Sequence, residues 1–128
     1  MLLRKVGNES RYNYIEEIVG HPISHDGNNS TPKDSFKMLE RLYSNPKNNK
    51  YYSDMIETMK KTECHYRIDK YIPQEIVAHK IGNLDETVND TAIIYKVNPY
   101  ILVVFTNGIL EANEVIGQVS KIIYDAQK

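Results

Sequence analysis

Cysteine is nearly absent from this chain, tryptophan is absent, and there are only 2 phenylalanines. The single cysteine, Cys64, excludes an internal disulfide, and no metal quartet can be built around it. An excess of either charge is missing too, with 16 Lys plus Arg against 17 Asp plus Glu. That balance argues against nucleic acid or an anionic membrane as partner, since either demands a concentrated basic face. No apolar run approaches a membrane span. The start, Met1-Leu2-Leu3-Arg4-Lys5, is too short and too quickly charged for a signal peptide. What remains is one domain's worth of chain, expected to fold as a single unit over residues 1–128.

Three β-branched or aromatic runs organise the second half. They are Val77-Ala78-His79-Lys80-Ile81-Gly82-Asn83, Asn89-Asp90-Thr91-Ala92-Ile93-Ile94-Tyr95 and Tyr100-Ile101-Leu102-Val103-Val104-Phe105-Thr106. Gly, Pro, Asn and Asp punctuate the gaps, and the connections Leu84 to Val88 and Lys96 to Pro99 are short enough for antiparallel turns. The runs predict a meander. Lys80 is the one long cation of the first strand, and Gly82 beside it permits a close backbone approach.

Four helices are predicted around it. The first runs from a cap at Asn8 or Glu9 to about Ile18, with Tyr12, Ile15, Ile18 and Val19 on one face and Gly20 as its stop. The second starts at Thr31-Pro32-Lys33-Asp34, with Thr31 as cap, and buries Ser35, Met38, Leu39 and Leu42 before Asn45-Pro46 ends it. Tyr52, Met55, Ile56 and Met59 repeat that spacing in a third. The last presents Ala112, Val115, Ile116, Val119, Ile122 and Ile123 as its apolar face.

Lys80-Ile81-Gly82, in its setting of Val77-Ala78-His79 and Asn83-Leu84, resembles the Lys-Thr-Gly strand of class A β-lactamases and penicillin-binding proteins. The ordered context strengthens the likeness: Ile72-Pro73 upstream, two further strands, then a closing amphipathic helix ending Ile122-Ile123-Tyr124-Asp125-Ala126. It runs from about Leu2 to the C-terminus and corresponds to the second half of such an enzyme. The resemblance implies an α+β fold: an antiparallel three-stranded sheet packed with helices, a truncated β-lactamase/transpeptidase-like fold.

The resemblance also implies chemistry: acylation of a serine by a β-lactam, then hydrolysis, the basis of antibiotic resistance in that family. The substrate-binding residues it assigns are Lys80, Ile81, Gly82 and Asn83. Lys80 would attract the substrate carboxylate, and the Asn83 backbone N–H would form half of an oxyanion hole. Ile81 departs from the pattern, because the family's Thr or Ser donates a hydroxyl there. Losing that charge-assisted bond costs about 1.5–3 kcal/mol of binding. Leu2-Leu3-x-x-x-Gly7 corresponds to the stretch just behind the family's Ser-Asp-Asn motif. The nucleophile's Ser-x-x-Lys is therefore expected upstream of Met1, with no copy in the chain, and the chain is expected to be inactive alone. The loop from Gly20 to Ser30 corresponds to the omega loop but lacks Glu-x-x-Leu-Asn, with Asp26 its only carboxylate.

Other candidates carry blander readings. His21 and His25 stand four apart beside Asp26, but in a loop containing Pro22 and without a third well-spaced ligand. No metal and no cofactor are expected. His65 reads as a surface residue, His79 as a strand residue packed beside the lysine, and Cys64 as a free thiol in a polar stretch after a helix. The 10 tyrosines read as amphipathic packing at the margins of a small core. A β-lactam or peptidoglycan-like ligand is expected only once the missing part of the site is supplied, and family members of full length act outside the cytoplasm. Two other roles stay open: a non-catalytic binding or regulatory module, and half a site completed by a chain carrying Ser-x-x-Lys. Tyr100 to Thr106, uncharged and left at the edge, predicts a homo-oligomer.

Overall fold

A computed structural model describes residues 7–128 and forms a three-stranded antiparallel meander flanked by helices on both faces. Strand β1 (Val77–Leu84) pairs with β2 (Thr87–Ile94), which pairs with β3 (Tyr100–Asn107). The first hairpin is tighter than the sequence suggested. Leu84 pairs with Thr87, so only Asp85 and Glu86 form the turn, and Asp85 adopts the positive φ of 50° that such a turn requires.

Alternation along the strands sorts the core into two layers. Val77, Ala92, Ile94 and Leu102 point to one face, where Ile116 of the last helix covers them with Ile68 and Ile72. Ala78 and Ile93 point to the other, beneath Leu39, Leu42 and Tyr52. The sheet is thus a middle layer, and its two faces carry different neighbours. That difference decides where each polar strand residue goes.

Helix α1 (Asn8–Val19) ends as expected at Gly20, whose φ of 81° lets its N–H reach the Glu16 carbonyl at 2.8 Å. Its start differs: Gly7, at φ 78°, takes the cap position, and Asn8 is already helical. Residues 2–6 of the Leu-Leu-x-x-x-Gly stretch lie outside the described residues. Helix α2 (Pro32–Ser44) has Thr31 as cap, its hydroxyl accepting from Asp34 N at 3.1 Å, and Leu39 and Leu42 are buried while Ser35 and Met38 are half-buried. In α3 (Tyr52–Lys60) Tyr52 carries the burial, and Met55 is exposed at the rim of an apolar groove shared with Tyr14, Ile18 and Met38.

Helix α4 (Ala112–Ala126) buries Ala112, Ile116, Gly117 and Ser120, whereas Val115 and Ile122 face outward. The predicted apolar face was wider than the sheet can cover. Gly117 explains the choice of face. A β-carbon there would sit 3.2 Å from Lys70 Cβ and 3.3 Å from the Arg67 carbonyl, so its absence admits the segment 67–70 against the helix. Glu114 then ties the two together, accepting from Lys70 Nζ and from the Tyr71 hydroxyl at 2.8 Å. Lys70 first, then Tyr71 and Gln118, pull the Glu114 carboxyl down to about 2.

Candidate substrate-binding cleft

The outward-facing half of β1 lines an open cavity of about 460 Å³. Lys80, Ile81, Gly82 and Asn83 form one wall, with Asn89 and Thr91 behind them on β2, and Asn28, Asn29, Ser30 and Ser35 stand opposite. All four residues singled out in the sequence therefore share one space. Lys80 is exposed, and its Nζ donates to its neighbour's carbonyl, Ile81 O, at 2.6 Å. Asn83 turns its side chain away from the cavity: its Oδ1 accepts from Arg67 Nη2.

Gly82 is not required by side-chain crowding, since a β-carbon there would meet Asn89 Cβ at an ordinary 3.9 Å. Its carbonyl matters instead. Arg67, 1% exposed, donates from Nη1 to Gly82 O at 3.2 Å and to Asn89 O at 2.6 Å, and from Nε to Asn113 Oδ1 at 2.8 Å. One buried guanidinium thus grips the cleft wall from behind and fixes the Gly82–Asn83 segment against β2 and α4.

Four more ionisable residues share that underside. His79 is buried on the face opposite Lys80, not packed beside it. Its Nδ1 donates to the Asp90 carboxylate at 2.9 and 3.1 Å, and Asp90 also accepts from Ile68 N at 3.0 Å. His79 Nε2 lies 3.3 Å from Asp69 Oδ2. His65 is half-buried rather than superficial, with its Nδ1 on the same Asp69 oxygen. Burial works to lower the His79 pKa, but the two carboxylates outweigh it and raise the value to about 9. Burial likewise works to raise Asp69, and hydrogen bonds from His79 and His65 outweigh it, leaving the carboxyl below its ordinary range.

Across the cavity the loop is held by a carboxylate outside it. Glu16 on α1 accepts from Ile23 N at 2.9 Å, and this bond lowers its pKa. His21 and His25 do not converge. His25 stacks on Tyr12 with ring centroids 3.9 Å apart, while His21 Nε2 meets Asp34 Oδ1 at 2.8 Å and its Nδ1 meets Pro22 O at 2.8 Å.

Both ring nitrogens of His21 thus face acceptors, which only the doubly protonated ring can satisfy. The Asp34 bond, then the Pro22 bond, raise its pKa above the ordinary 6.5, and His21 in turn lowers Asp34. The sign follows from these directions. The raised His21 contributes stability fully present below pH 6.5 and lost as pH rises through its folded value. The depressed Asp34 contributes stability present above its ordinary 3.8 and lost as pH falls through its folded value. Proton NMR titration of the His21 ring should show a midpoint above 6.5 that Asp34→Asn lowers, because the Asp34 bond is the largest cause of the rise. A normal midpoint in the unaltered chain would mean the pair does not form.

The expected absence of Ser-x-x-Lys is incorrect on the sequence itself, because the spacing occurs at Ser30-Thr31-Pro32-Lys33 and at Ser44-Asn45-Pro46-Lys47. Neither serine sits one helical turn before its lysine. Ser30 precedes the cap of α2, and Ser44 ends that helix, with Asn45 left-handed at φ 42° and Lys47 paired to Glu17. Ser30 nevertheless lines the cavity, 3.4 Å from Ser35 Oγ.

The family model for the β-lactamase enzyme family matches residues 1–127. The chain belongs to that family. Among solved structures, a β-lactamase from Sphaerobacter thermophilus is 23% identical with a TM-score of 0.81 over 98% of this chain. A structure of PBP-A is 16% identical, with a TM-score of 0.76 over 97% of this chain. At these identities the likeness is one of fold. The family chain described here spans 55% and 53% of those two proteins' lengths. No curated protein sequence matches.

Proposed function

We propose that this β-lactamase-family chain supplies the Lys80-to-Asn83 wall of a β-lactam-binding cleft and is catalytically silent by itself. The cavity that gathers Lys80, Ile81, Gly82 and Asn83 opposite Ser30 and Ser35 supports this reading. Lys80 is the cation for a substrate carboxylate, and the Asn83 N–H is half of an oxyanion hole. Ring opening needs a serine activated by a lysine one helical turn away and a second hydroxyl to pass the proton to the leaving nitrogen. The chain has no Ser-Asp-Asn, and neither of its Ser-x-x-Lys spacings has the helical geometry. Serine acylation, hydrolysis and resistance thus belong to a site completed by another segment that carries those motifs. Residues 1–128 act in this reading as one folding unit. A non-catalytic β-lactam- or peptidoglycan-binding module is the second role, which the exposed Lys80, with no carboxylate partner among the described residues, favours.

The test is direct. A chromogenic cephalosporin should not be hydrolysed, and intact mass should not change after incubation with penicillin. A gain of one β-lactam would overturn the proposal, and mapping the adduct to Ser30 or Ser35 would show that the cavity makes its own nucleophile.

A further inference from the structure

On the underside of β1, away from the cleft, three side chains converge that the β-lactam chemistry does not use. His65, Asp69 and His79 each offer a ligand atom, and these atoms lie within 4.8 Å of one another. We propose that they form a binding site for a divalent transition metal of the zinc type.

Four observations carry this. First, the donor set is two imidazole nitrogens and one carboxylate, which suits zinc and its neighbours and not the hard cations magnesium and calcium. Second, His79 Nε2 and Asp69 Oδ2 are 3.3 Å apart. That is the edge of a tetrahedron whose metal–ligand bonds are about 2.0–2.1 Å.

Third, among the described residues Asp69 Oδ1 is buried without a hydrogen-bond partner, and His79 Nε2 has only Asp69 Oδ2 facing it, at 3.3 Å and poorly aligned for a hydrogen bond, on side chains that are each about 1% exposed. A polar atom left unsatisfied so deep in a fold is costly, and this one belongs to the cluster. Fourth, the outer shell is already built. His79 gives its Nδ1 proton to Asp90, which aims Nε2 into the cluster, and Asp90 is itself fixed by Ile68 N. This is the carboxylate–histidine pairing that orients metal ligands.

The metal takes the place of the proton between His79 and Asp69, and the charges of Asp69 and Asp90 balance it beside Arg67. His65, with a third of its side chain exposed, provides the way in and leaves a fourth position to water. The site pins the segment 65–69 to β1 one residue from Lys80, and so stiffens the cleft wall without entering it.

Zinc and cobalt should be titrated into the EDTA-treated chain, with calorimetry for zinc and visible spectroscopy for cobalt. The expected result is one equivalent of saturable zinc and the visible absorption of four-coordinate cobalt. His65→Ala should weaken zinc by at least about tenfold, the loss that even an outer-shell residue causes. Because His65 is half-exposed and Asp69 keeps His79 beside it, that variant should still fold and melt cooperatively in EDTA, at a lower temperature than the unaltered chain. A His21→Ala, His25→Ala double variant should bind zinc normally. Absence of one-equivalent binding, binding that survives His65→Ala, or loss of binding in the His21/His25 variant would each overturn the site.

Discussion

Asp90→Ala should cost about 3–5 kcal/mol, the loss seen when one member of a buried charge network is removed. Asp90 is fully buried on β2 and accepts from two donors, Ile68 N at 3.0 Å and His79 Nδ1 at 2.9 Å. Alanine leaves both donors without an acceptor in a place water does not reach, at about 1–3 kcal/mol for each orphaned group. It also leaves the imidazolium of His79 facing one carboxylate in place of two. A domain of this size is stable by roughly 5–15 kcal/mol, so the variant should be unfolded at markedly lower urea. Urea denaturation in EDTA, where no metal contributes, gives the number. Asp90→Asn should fall between, since its amide oxygen can accept from either donor but its NH₂ gains no acceptor. A loss under about 1 kcal/mol for the alanine variant would mean that the network is solvated and the two donors find water.

That network marks the boundary of what the sequence made legible. The meander was readable because β-branched runs alternate with Gly, Pro and Asn-rich breaks, and α2 because Thr31-Pro32 is a strong local start. The cleft residues were readable through a contiguous tripeptide. Arg67, Asp69, His79 and Asp90 come instead from three separate segments, and only the sheet register, with His79 opposite Ala92 and Asp90 opposite Ile81, brings them together. A signal did exist. In Val77-x-His79-x-Ile81 and Val88-x-Asp90-x-Ala92-x-Ile94 an ionisable residue occupies each strand's core-facing period. A charge at such a position is buried and must have a partner. The outward-facing Val115 and Ile122 had no comparable signal, because an apolar stripe does not say how much of it a neighbour will cover.

The second large effect concerns assembly. We expect the chain to run in light scattering at low micromolar concentration with twice the mass of one copy. Among the described residues β3 pairs with β2 alone, so the other edge of Tyr100–Asn107 offers a row of unpaired N–H and C=O groups. The strand contains no charged residue, and neither a proline nor a lysine blunts it. Just beyond it Leu110 is 90% exposed, and Ile122 on α4 is 68% exposed. An uncharged edge beside exposed apolar side chains is a template for another strand, and antiparallel pairing of two β3 copies about a two-fold axis satisfies both edges at once. In that dimer the outward-pointing β3 amides, those not bonded to β2, should exchange with solvent far more slowly than the hairpin residues 85 and 86. A stable monomer whose outward-pointing β3 amides exchange quickly would show that the edge stays open. A complementing segment, and not a second copy, would then be the partner that the cleft and the edge both await.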